Sequence, residues 1–176
     1  MSTPQTKLAK PGADEYPPYY EKYVSLIQDV DVVATLGKQL DATRTLLGSI
    51  DEVKADSRYA PDKWSIKEVV GHLIDGERVF AYRAMRFARS DVSPLAGFEQ
   101  DDYVLNGDFD ARTLADLAEE FEHLRRSNIH FFRGLSDAAW ARRGTANDSE
   151  VSVRALAHII AGHEVHHVEI LKTRYL

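Results

Sequence analysis

The chain contains no cysteine, and that one absence removes disulfides, thiolate metal sites and cysteine nucleophiles together. Any metal must therefore be held by histidines and carboxylates. Long apolar runs are also missing. No stretch approaches the roughly 18 uncharged residues of a membrane span, and the opening MSTPQTKLAKPGADEYPP has no apolar signal-peptide core. A cytoplasmic protein without a membrane partner is the expectation. There is no basic excess either: Lys plus Arg number 22 against 28 Asp plus Glu, and the net charge of −6 gives no general attraction to nucleic acid. Sustained period-two alternation and Asn-Gly pairs at hairpin spacing are lacking, which argues against a β fold.

What is present reads as one all-α domain. At 176 residues, with 44% hydrophobic and 28% charged positions, the chain can bury roughly 70% of the surface it exposes when unfolded. Residues 1–15, rich in Pro, Thr, Ser and Lys, read as a flexible tail ahead of a domain over 16–176. A first helix opens near Pro18 and continues or restarts after Asp29 or Asp31, with Val33, Leu36, Leu40, Thr43 and Leu47 on one stripe up to Gly48. The sharpest start signal is Ser65-Ile66-Lys67-Glu68, a capping box flanked by Trp64 and Val69 as a hydrophobic staple, opening a helix to about Ser90. A long connection over 91–112 follows, then a helix from Thr113 to Gly134 with Asp116 as box partner. A second connection leads to a last helix over 151–174. Four helices with long connections describe a four-helix bundle with crossovers.

The last helix carries His163-Glu164-Val165-His166-His167, an H-E-x-x-H run. In zinc peptidases these letters supply two ligands and a water-activating glutamate. Here the extended form fails, because Thr173 and Ile170 stand where a third histidine and a glycine belong. Only Val168 to Leu176 follow, so a further ligand is expected from upstream. His163 and His167, at i and i+4 within an apolar stripe, have Cβ atoms about 5–6 Å apart and converge on a common point. His163 with His166 is a competing pair that spacing alone leaves open. His158 lies on another side and reads as packing, while His123 and His130 read as solvated. His72 follows Val69 by one turn, between Gly71 and Gly76, small neighbours that would let a metal or a helix approach. Asp75 is placed either to orient that imidazole or to sit in water.

The capped W-S-x-x-E-V-x-G-H-L-I-D-x-E segment, followed late by H-E-x-H-H, resembles the DinB/YfiT-like family of bacterial four-helix metalloproteins over about 16–176. The resemblance implies a metal site of His72, His163 and His167, leaving His166 as a neighbour. The acidic-aromatic stretch Phe98-Glu99-Gln100-Asp101-Asp102-Tyr103 resembles a family segment beside the metal pocket. The resemblance further implies a divalent ion, zinc or nickel among others, homodimers, and in several branches thiol-dependent transfer using bacillithiol, mycothiol or glutathione, with a mycothiol-dependent maleylpyruvate isomerase branch.

Three neutral ligands with open coordination positions lead to one expectation: a metal-dependent thiol S-transferase, or a related lyase or isomerase, acting on a small molecule. A non-catalytic metal-binding stress-response module is the alternative, and a metallopeptidase stands third. Glu164 points about 100 degrees from His163 around the helix, which places it behind the ligands or at the surface rather than as a general base.

Overall fold

A computed structural model describes residues 9–29 and 31–176. Helices form where their caps stand. After a tight turn at Pro18–Tyr20 and the short α1 (Glu21–Val24), the chain restarts as α2 (Val32–Gly48), with the Asp31 carboxylate accepting the Ala34 N–H at 2.9 Å. The buried stripe of α2 is Val32, Leu36, Leu40, Thr43 and Leu47, so Val32 rather than Val33 begins it. A short α3 (Glu52–Ala55) precedes α4 (Ile66–Ala88), where both halves of the capping box close: Ser65 Oγ accepts the Glu68 N–H at 3.0 Å and the Glu68 carboxylate accepts the Ser65 N–H at 2.7 Å. The long connection contains its own short helix, α5 (Gln100–Leu105). In α6 (Leu114–Arg133) the Thr113 hydroxyl caps the Asp116 N–H, but the Asp116 carboxylate pairs with Arg112 at 2.5 Å instead of closing a box. A one-turn α7 (Asp137–Trp140) and α8 (Val153–Ile170), capped by Ser152, complete the helices.

Two expectations need correction. The connection before α8 contains a hairpin, β1 (Arg143–Ala146) against β2 (Ser149–Ser152), antiparallel, with Asn147 and Asp148 at φ 50 and 56. Asn and Asp tolerate this left-handed turn, as Asn-Gly would. The strands are too short and too polar to show alternation. The expected tail over 1–15 lies mostly outside the described residues, yet its last part is anchored. Glu15 is buried, accepting the Ser152 hydroxyl at 2.7 Å and pairing with Arg154, while Asp14 pairs with Arg143.

The long helices form a ring in which α2 and α4 each pack on both α6 and α8. Consecutive helices α2 and α4 are therefore diagonal, as are α6 and α8, and the intervening connections cross the bundle. Apolar side chains separate into two clusters along the axis. One holds Ile66, Val69, Leu73 and Ile74 of α4 with Leu114, Leu117 and Phe121 of α6; the other holds Phe80, Ala84 and Phe87 of α4 with Ile129, Phe132, Leu156 and Ile159. Buried polar residues gather where the two clusters meet: Glu77 on α4, Arg125 and Asn128 on α6, and His163, Glu164 and His167 on α8, joined by Thr43 and His72 from within the first cluster. A polar layer thus interrupts the core, and the site is built there. Among the described residues no helix is long and apolar enough to cross a membrane.

Candidate metal centre and its cavity

His72 on α4 and His163 and His167 on α8 meet in this layer, all three buried, with one potential ligand nitrogen from each lying within 4.8 Å of the others. His72 Nε2 and His163 Nε2 are 2.9 Å apart, and the three ring centroids are separated by 4.6 to 4.8 Å. The competing i,i+3 pairing is not the one that converges. His166 is half-buried at the side, its ring edge-on to Tyr23 at 5.4 Å. Gly76 makes the approach possible: a Cβ there would lie 3.0 Å from His163 Cε1, tighter than ordinary contact. At Gly162 a Cβ would strike the Tyr23 carbonyl at 2.0 Å, so glycine lets α1 press onto α8 and brings Tyr23 edge-on to His163 at 5.3 Å. Trp64, at the mouth of α4, lies 4.9 Å from the His72 ring.

Burial keeps these imidazoles neutral. Desolvation, then the neighbouring His166, lowers His72 to about 4. Desolvation followed by His72, His166 and Lys22 lowers His167 to about 3, and His163 is pushed well below its ordinary value by burial and then by the other histidines. At neutral pH each ring therefore keeps a lone pair, which metal ligation requires. The remaining histidines stay apart: His123 and His130 are exposed, and His158 is buried with Nδ1 3.0 Å from the Arg154 carbonyl and Nε2 unpartnered among the described residues. Asp75 pairs with Arg78 rather than with His72.

Glu164 is neither at the surface nor free to act as a base. Its carboxylate is buried and accepts the Thr43 hydroxyl at 2.6 Å and Arg125 Nη1 at 2.6 Å. Arg125 reaches across the bundle and binds Glu77 through both Nε and Nη2, at 2.7 to 3.0 Å, and Asn128 completes the shell of Glu77. Sequence reading missed this network. A charged residue four positions from both Phe121 and Ile129 was the available signal.

Beside the histidines opens a cavity of about 470 Å³, in the range of small-molecule sites. His72, Gly76 and His163 form its floor; Tyr20, Tyr23, Phe80 and Phe98 form apolar walls, with Arg83 at one side. Phe98, Glu99, Gln100 and Asp101, from the long connection, line it as expected. Arg83 and Tyr20 were not foreseen, although His72, Gly76, Phe80 and Arg83 share one helical face by spacing.

A profile of the DinB superfamily matches residues 35–171, a span that includes all three histidines. The chain belongs to the DinB superfamily. Among solved structures, YfiT from Bacillus subtilis, described as a probable metal-dependent hydrolase with an unusual four-helix bundle topology, matches this DinB chain with a TM-score of 0.70 at 15% identity, over 94% of this chain and 93% of that one. A mycothiol-dependent maleylpyruvate isomerase matches with a TM-score of 0.66 at 12% identity, over 78% of this chain and 58% of that one. At these identities the likeness establishes the four-helix fold. No curated protein matches the chain.

Proposed function

We propose that this DinB-superfamily chain is a divalent-metal-dependent enzyme with His72, His163 and His167 as ligands, transferring or rearranging groups on a small molecule with the help of a low-molecular-weight thiol. One observation carries the reading: three buried, neutral imidazoles present their nitrogens within 4.8 Å of one another, and two of them, His72 and His163, line a cavity large enough for a substrate. The donor set fits a borderline ion such as zinc or nickel. The surrounding layer fits it too, since the formal charges of Glu77 and Glu164 exceed that of Arg125 by one negative charge, which a cation offsets. A divalent ion held by neutral ligands keeps its Lewis acidity and favours the deprotonated form of a thiol or water at neutral pH.

The chain's own residues do the rest. Gly76 admits the His163 ring, Trp64 and Tyr23 flank the imidazoles, and Tyr20, Phe80 and Phe98 give the adjoining cavity apolar walls. The mycothiol dependence of the isomerase and the hydrolase description of YfiT support thiol transfer and hydrolysis respectively; thiol transfer is preferred because, among the described residues, no buried carboxylate lining the cavity is free to activate water. The engagement of Glu164 with Thr43 and Arg125 argues against a peptidase. Elemental analysis of untagged protein tests the first half, with one ion per chain expected and none in His72→Ala. Screening the loaded protein with thiols and model electrophiles tests the second. A site closed to added thiols, with no turnover, would instead favour the metal-binding module.

A further inference from the structure

Three basic side chains are buried among the described residues: Lys67, Arg83 and Arg125. Lys67 pairs with Asp56 at 2.7 Å and Glu52 at 3.2 Å, and Arg125 with Glu77 and Glu164. Arg83 alone has no carboxylate within ion-pair distance among the described residues. Its Nη2 donates to the Ala96 carbonyl at 2.9 Å, and its guanidinium lies 5.9 Å from the centre of the Phe98 ring. A buried cation without a counterion is costly. Arg83 faces the same cavity as His72 and His163, and carbonyl and ring contacts do not neutralise it.

We propose that Arg83 is the anion-binding residue of this cavity, and that the substrate carries a carboxylate seated on it. This rests on the metal-centre reading for what happens at the other end of the substrate. The planar fork of arginine matches one carboxylate through paired N–H donors. A singly charged group suits the site better than a phosphate. One guanidinium supplies one positive charge, and the carboxylates that also line the cavity, Glu99 and Asp101, are exposed and would repel a more highly charged ligand. Tyr20, Phe80 and Phe98 provide apolar wall for the body of the molecule. Arg83 stands eleven residues after His72 on α4, about 16 Å along the axis at 1.5 Å per residue, and Cβ bonds on a helix lean toward its N-terminus, here toward the histidines. A substrate anchored on Arg83 would present its far end to the imidazoles.

The test uses acetate, benzoate and 3-phenylpropionate beside their neutral amides, titrated by calorimetry into chelator-treated and zinc-loaded protein. At least one acid should bind about tenfold or more tightly than its amide to the metal-free protein. Arg83→Gln should abolish that preference. Arg83→Lys, which keeps the charge without the fork, should retain a reduced one, which an unfolded variant would not. The proposal is overturned if no acid outbinds its amide in the metal-free protein, or if the preference survives in Arg83→Gln. Zinc stoichiometry in the same samples reports separately on the histidines: wild-type protein that takes up no zinc yet prefers the acid refutes the metal centre and leaves Arg83 standing.

Discussion

Around Arg125 each buried charge has its partners, whereas around Arg83 and the three histidines polar groups face an open cavity. The histidines share the interruption of the core with Arg125, Arg83 stands farther along α4, and both regions draw on α4 and α8. In the first, one guanidinium, two carboxylates, Asn128 and Thr43 tie α2, α4, α6 and α8 together, and none of these side chains has a buried polar atom without a partner. In the second, His72 and His163 have chiefly each other, and Arg83 has a carbonyl oxygen. A saturated network supports the fold, because removing a member strands the rest. An unsaturated one supports binding, because its partners come from outside. The three histidines sit where the first network fixes them: Glu164 follows His163 directly, and Glu77 follows Gly76.

The largest effect should come from breaking the saturated side. Arg125→Ala leaves two carboxylates buried without their cation, a change that costs about 3–5 kcal/mol. For a chain of this size that corresponds to a fall in Tm of roughly 10 °C, readable by calorimetry on metal-free protein. A loss below about 1 kcal/mol would show that the network contributes no more than a surface pair.

The two regions were unequally legible in the sequence. Histidine spacing made His163 a candidate but left His166 and His167 in competition, and it was the family resemblance that implied the set His72, His163 and His167. The four long helices were legible directly, because their caps at Asp31, Ser65, Thr113 and Ser152 are short-range chemistry. Arg125 did not stand out, because a charged residue on a mixed face ordinarily points to water and Leu124 beside it offered an apolar alternative. Its inward position depends on carboxylates 48 and 39 residues away. Arg83 was hidden because a charged residue likewise suggests solvent, and the hairpin at Asn147-Asp148 because its strands are too short and too polar to show alternation.

Acid should expose the open side next. The folded His72 titrates at about 4, below the 6.5 of an unfolded histidine, so between these values the unfolded chain binds a proton that the folded protein refuses. Stability of the metal-free protein is complete above about 6.5 and falls as the pH drops toward 4, by about 3 kcal/mol from His72 alone. Urea melts across that window should show the slope, and His72→Ala should flatten it; an unchanged slope would mean the imidazole is not held neutral by burial. Somewhat smaller is the effect of adding a ligand there. Zinc at about a hundredfold excess over its Kd should stabilise the protein by about 2.7 kcal/mol, and His72→Ala or His167→Ala should remove that gain while altering metal-free stability by about 1 kcal/mol or less. A full zinc response in either variant would exclude the three-histidine set.

Gly76→Ala should have the smallest effect and opposite signs in the two states. Alanine is worth up to about 1 kcal/mol over glycine inside a helix, which favours the variant. Its Cβ, however, would lie 3.0 Å from His163 Cε1 and 3.4 Å from Nδ1, so the ring must yield by a few tenths of an ångström. In metal-free protein the ring can give way into the adjoining cavity, and the melting temperature should hold or rise slightly. In metal-loaded protein the same shift pulls one nitrogen off the point where the other two converge, and zinc should bind about three- to tenfold more weakly, about 0.7–1.4 kcal/mol. A competition titration against a chelator, run beside the melts, reads both. If stability and affinity fall together, Gly76 merely relieves crowding; if stability holds while affinity falls, the glycine shapes the site for its ion.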